Sequence, residues 1–157
     1  MRTAFQSMAA IVGILLVFVY AIGAGLWTNT GDNWYRSLNS PSWQPPDFVF
    51  GLIWPYNFIV LGFAAVSVAN KLSNIKIIIY LIIFLISVIF ALTWAYQFYR
   101  PHNLELATLA LAGTAISTLP MMVLIYQASL AVFIATIPYQ LWVITASFLS
   151  AGYARLN

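Results

Sequence analysis

Four uncharged stretches constrain this chain more than any motif does. No Asp, Glu, Lys or Arg occurs between Arg2 and Asp32, Asp47 and Lys71, Lys76 and Arg100, or Glu105 and Arg155. A charge near the bilayer centre costs about 2.5–3.5 kcal/mol on insertion scales, and one helical crossing takes about 20 apolar residues. The first three stretches each fit one crossing. The fourth, residues 106–154, is long enough for two, and the polar break Gln127-Ala128-Ser129 divides it. The expected fold is an all-α membrane protein with five transmembrane helices near 5–27, 47–69, 76–99, 104–126 and 130–153. A membrane barrel needs segments that alternate apolar and polar residues, and the run from Ile77 to Ile83 does not alternate. The first segment is too long for a signal peptide and lacks a clear cleavage motif, so it counts as a helix.

Composition excludes several function classes. The chain is 63% hydrophobic and 6% charged, against about 25% charged residues in soluble domains. A net charge of +3 spread over six basic and three acidic residues makes no nucleic-acid surface. With no cysteine and one histidine there is no thiolate or histidine-rich metal site. No charge falls within a span to relay protons or bind an ion, which argues against ion-coupled transport. Lys and Arg divide evenly between the two sides, Arg2, Lys71 and Lys76 against Arg36, Arg100 and Arg155, so the positive-inside rule sets no orientation.

The one long connection, Thr28 to Pro46, reads TNTGDNWYRSLNSPSWQPP. Three prolines restrict its freedom, and Trp34, Tyr35 and Trp43 give it rings to bury. It reads either as a lid over one mouth of the bundle or as an interfacial aromatic belt. Pro46 and Asp47 suit the first turn of the second span. Pro55, Pro120 and Pro138 lie inside spans and free the carbonyls of Gly51, Ile116 and Ile134. They are either ordinary membrane-helix kinks or devices that open a cavity. Helical spacing groups Trp54, Asn57, Phe58 and Leu61 on one face, Phe90, Trp94, Gln97 and Phe98 on another, and Tyr139, Trp142, Ala146 and Tyr153 on a third. These faces either pack together or line an aromatic pocket for a flat apolar ligand. His102 reads as a loop histidine or as an axial ligand to haem iron. Gly23 with Gly25, and Gly113 with Ser117, are candidates for close helix contact, within the chain or between copies.

The segment Trp34-Tyr35-x-x-Leu38-x-x-Pro41-Ser42-Trp43-x-Pro45-Pro46-x-x-Val49-x-Gly51-x-x-Trp54 resembles the signature of the TspO/MBR family, the translocator or tryptophan-rich sensory proteins, also called peripheral benzodiazepine receptors. Pro138-Tyr139-x-x-Trp142 is a second match, and Trp94 followed by Phe98-Tyr99 a looser third. The resemblance covers essentially the whole chain, residues 1–157, as one domain. It implies a five-helix bundle, usually a homodimer, with a ligand cavity capped by the first loop. It also implies a membrane receptor or sensor for porphyrins, including haem and protoporphyrin, and for sterols and benzodiazepine-site ligands, with no obligatory cofactor. The alternatives are a light-dependent porphyrin-degrading protein and a passive carrier of sterol or porphyrin. The expected location is a bacterial cell membrane.

Residue by residue, the resemblance makes Trp54 and Trp142 the pocket tryptophans, the only candidates for a photochemical role. It makes Tyr139 their neighbour, Ala146 a position where bulk alters binding, and Pro41, Ser42 and Trp43 parts of the lid. Trp34, Phe58, Phe90, Ala91 and Trp94 complete the expected ligand-binding set. Ala91 stands where relatives often carry asparagine, and Phe58 where many carry tyrosine, so both changes make the pocket greasier. Leu149, Tyr153 and Arg155 fit a cholesterol-recognition pattern, or alternatively an interfacial Tyr–Arg anchor.

Overall fold

The computed structural model describes residues 3–157. Five long helices form, α1 (Ala4–Trp27), α3 (Asp47–Lys71), α4 (Asn74–Tyr99), α5 (Leu104–Ala128) and α6 (Leu130–Leu156), with a short helix α2 (Asn33–Ser37) in the first loop. Each long helix is apolar and long enough to cross a membrane. The protein is therefore a multi-pass integral membrane protein with five spans, as the uncharged stretches predict. At about 1.5 Å per residue, 24 to 27 residues give about 36–40 Å, enough to cross the hydrocarbon and reach into the headgroups. Arg2, one of the flanking charges counted above, lies outside the described residues.

The helix ends follow from local chemistry. Thr3 and Gln6 make a reciprocal capping box at α1. Asp32 caps α2 by accepting from the Tyr35 amide at 2.7 Å. Asn103 caps α5 through the Leu106 amide. Ser129 alone divides α5 from α6: its extended backbone ends one helix, and its hydroxyl accepts from Val132 in the next.

The long helices pack as a ring in the order α1, α4, α5, α6, α3, with α3 also touching α5 across it. Small residues set the closest approaches. A Cβ on Gly13 would lie 2.5 Å from the Ala65 Cβ, so α1 meets α3 there almost backbone to backbone. Gly23 likewise admits Leu92, and Gly113 admits Phe90, whereas Gly25 faces open space and makes no such contact. Two proline-containing turns are braced from neighbouring helices. Gln140 on α6 donates to the Ala115 carbonyl in the turn before Pro120, at 3.0 Å. Tyr56 on α3 donates to the Ala135 carbonyl in the turn before Pro138, at 2.7 Å. Backbone groups near a membrane proline need such partners because lipid offers none.

The topology brings the long loop to the end of the ring that holds the C-termini of α1, α4 and α6 and the N-termini of α3 and α5. There it forms a small apolar core of its own: Trp34, Tyr35 and Leu38 pack against Phe98, Leu149 and Tyr153. Trp34 also stacks on His102 with ring centroids 3.6 Å apart and planes 7° apart. His102 takes φ 60°, the one non-glycine residue in the left-handed region among those described. Such a conformation costs about 1–2 kcal/mol, and the stacked indole helps offset it.

Candidate ligand-binding cavity

A cavity of about 860 Å³ sits at the loop end of the ring, towards the top of the range of about 300–1,000 Å³ usual for small-molecule sites. Its deeper wall is aromatic. Trp54 and Phe58 come from α3, Trp94 and Phe98 from α4, and Trp142 from α6 beside Ala146. Trp54 and Trp94 face each other nearly parallel, 6.5 Å apart and 21° between planes. Phe50 meets the Trp142 ring edge-on at 5.2 Å. These rings converge because Trp54 and Phe58 are four apart on α3, Trp94 and Phe98 four apart on α4, and Trp142 and Ala146 four apart on α6.

The mouth is polar. Arg36 from α2 and Asp47 at the start of α3 are the charged side chains in the lining, and Gln44 joins them from the loop. Tyr153 donates to the Gln44 side-chain oxygen, and its hydroxyl lies 3.4 Å from that of Tyr35. The indole nitrogens of Trp94 and Trp142 are buried without a hydrogen-bond partner among the described residues. An unpaired buried donor costs about 1–3 kcal/mol, so both favour a ligand that brings acceptors.

The candidate residues divide into three groups. Trp54, Phe58, Trp94, Trp142 and Ala146 line the cavity, as do Leu149 and Tyr153. A second group packs against protein away from it. Tyr139 and Ala91 are fully buried in the main core, because α6 and α4 turn those faces towards neighbouring helices. Trp34 is withdrawn from the lining by its stack on His102. The third group faces outward. Phe90 lies over Gly113 and is part exposed. Ser42 and Trp43 line a separate outer groove with Gly152 and Arg155, and Pro41 also lines it but is itself buried against Gly152. The pattern Leu149–Tyr153–Arg155 is therefore split between the cavity and the outside, since six residues along α6 turn Arg155 away from Leu149. His102 is absent from the cavity lining, which removes the geometric basis for an axial ligand. Residues not picked out from the sequence include Gln44 and Phe50; only the fold brings them to the wall.

Several contacts seat the loop on the last turns of α6. Asn39 N–H donates to the Asn157 side-chain oxygen at 2.8 Å, and the Asn157 amide donates back to the Asn39 carbonyl at 3.1 Å. Gln44 holds Tyr153, and Pro41 fills the space beside Gly152. A Cβ on Gly152 would stand 2.5 Å from Pro41 Cγ. Gly152→Ala is therefore expected to lift the Pro41 segment, at a cost of about 1–3 kcal/mol for overpacking. Limited proteolysis checks this: cleavage between Thr28 and Pro46 should accelerate while the long helices stay intact.

Comparison with known proteins identifies relatives along nearly the whole chain. The model of the TspO/MBR family matches residues 11–156. The tryptophan-rich protein TspO of Bacillus cereus is 34% identical over 157 residues, covering 98% of this chain and 99% of the relative. An uncharacterized membrane protein, YtaB, of Bacillus subtilis is 31% identical over 154 residues, covering 96% and 99%. A tryptophan-rich sensory protein of Cereibacter sphaeroides is 25% identical over 147 residues, covering 92% and 91%.

Proposed function

This chain belongs to the TspO/MBR family, and on that premise we propose that it is a membrane receptor or sensor whose cavity binds a tetrapyrrole such as protoporphyrin or haem. The observation that carries this reading is the cavity itself, walled by Trp54, Trp94 and Trp142 with Arg36 at its mouth. A flat macrocycle suits the near-parallel indoles, and each aromatic contact is worth about 0.5–1.5 kcal/mol beyond area burial. The ligand's carboxylates point to the mouth, where the Arg36 fork pairs with them. Arg100, the other basic candidate near this end, is not in the lining.

The experiment compares protoporphyrin with its dimethyl ester on the detergent-purified protein. A hydrogen bond to a charged group contributes about 1.5–3 kcal/mol. Arg36→Gln is therefore expected to weaken binding of the dicarboxylic acid by about ten- to a hundredfold, and to leave the ester nearly unchanged. Equal loss for both ligands would remove Arg36 as the carboxylate partner. No saturable binding of either would remove the tetrapyrrole reading.

A second reading, light-dependent breakdown of the bound porphyrin, draws support from Trp54 and Trp142 both facing the cavity. It predicts an optical product that needs light and that Trp142→Phe fails to make. Passive transfer of a sterol or porphyrin instead predicts ligand exchange between vesicles that stops when the loop is locked.

A further inference from the structure

We propose that the cavity wall is a one-electron relay, running from Trp54 through Trp94 and Tyr99 to the Tyr35–Tyr153 pair at the mouth. The rings follow one another without a gap. Trp54 to Trp94 is 6.5 Å, Trp94 to Tyr99 is 6.3 Å, Tyr99 to Tyr35 is 5.9 Å and Tyr35 to Tyr153 is 6.1 Å, all between centroids. All five residues line the cavity. Indoles and phenols are the side chains here that give up one electron most readily, and near-contact spacing makes each transfer short.

The direction follows from where a proton can leave. An oxidised phenol is stable only after it loses its proton, because a buried cation in a low-dielectric interior is strongly disfavoured. Tyr20 also touches Trp54, edge-on at 6.1 Å. Among the described residues its hydroxyl is buried with only the equally buried Tyr139 hydroxyl near it, and that of Tyr80 is buried without a partner. That branch is a dead end. At the mouth, Tyr153 is hydrogen-bonded to Gln44 and adjoins the Tyr35 hydroxyl, with Asp47 in the same lining. Tyr153 is itself buried, and Tyr35 is the half-buried member of the pair, so the proton leaves for water through Tyr35.

The oxidant is a photoexcited tetrapyrrole in the cavity, and dioxygen is the final electron acceptor. The excited ligand takes one electron from Trp54 and passes it to dioxygen as superoxide. Trp94 refills Trp54; Tyr99 refills Trp94 and releases its hydroxyl proton to water in the cavity it lines. Tyr35 or Tyr153 then refills Tyr99, which takes a proton back, and the terminal phenol loses its own proton to water. One phenoxyl radical, one superoxide and one proton result, and the ligand is restored. A soluble reductant of the ascorbate or thiol class then supplies a hydrogen atom to the phenoxyl. The relay carries damage away from the indoles that hold the ligand. This use rests on the tetrapyrrole reading, but its test does not.

The chain has no cysteine. Gly51 lines the cavity one turn before Trp54, and a Cβ there meets nothing within 4 Å. Gly51→Cys therefore accepts a maleimide-linked ruthenium tris-diimine, with a soluble cobalt(III) ammine as quencher. After a flash the labelled protein should show a tyrosyl radical by electron paramagnetic resonance. Adding Tyr99→Phe, or Tyr35→Phe together with Tyr153→Phe, should abolish that signal and leave a tryptophanyl radical. Adding Tyr20→Phe should not alter it. A tyrosyl signal that survives Tyr99→Phe, that vanishes with Tyr20→Phe, or that never forms overturns the relay. No porphyrin enters this experiment, so its failure is distinct from failure of the ligand reading.

Discussion

Ala146→Phe is expected to reduce tetrapyrrole binding by about five- to a hundredfold, the equivalent of the roughly 1–3 kcal/mol typical of forcing bulk into a filled site. Ala146 lines the cavity one turn beyond Trp142 on α6. A phenyl group there enters the space a macrocycle would use against the Trp142 ring. The cavity offers it room in the free protein, so the fold should hold. Thermal unfolding close to the parent, together with weakened quenching by protoporphyrin, is the expected pair of observations. Unchanged affinity would mean that the ligand does not lie against this part of α6.

The second large effect concerns the fold. Gly13→Leu is expected to cost about 3 kcal/mol or more, at the upper end for overpacking. The α1–α3 contact leaves no space for a Cβ, because Ala65 already occupies it. Leucine must push α1 off α3, and that movement separates two walls of the ring. Gly62→Ala is the matched control. A Cβ at Gly62 meets nothing within 4 Å, and alanine improves helix propensity by up to about 1 kcal/mol. Thermal melts in detergent, followed by helix content, should show a sharply lowered midpoint for the first variant and an equal or raised one for the second. Equal melts for both would refute the close approach at Gly13.

The five spans were legible because charge is excluded from the hydrocarbon, so Asp47, Lys71, Lys76, Arg100 and Glu105 mark their ends within a few residues. The wall from Trp54, Phe58, Trp94, Trp142 and Ala146 was legible because helical spacing and the family motif agree on those positions. The short helix α2 was not anticipated. Its one local signal is Asp32 placed to cap the Tyr35 amide, which is weak in a proline-rich loop. Trp34 and Trp43 look alike in the motif, yet one is stacked on His102 and the other is exposed in the outer groove. Only the partner supplied by a different loop separates them. Arg155 and Tyr153 are two residues apart, but the angle between them on α6 sends one outward and the other to the cavity. Gln44 gave no periodic signal at all, since a loop has none; Tyr153 places it.

The most direct test of the central claim is a titration of the purified protein with protoporphyrin in the dark, with Ala146→Phe titrated alongside. Saturable quenching of tryptophan emission with a stable porphyrin band is expected, with the binding curve displaced to higher concentration in the variant. Unsaturable quenching, or identical curves for both proteins, would contradict it.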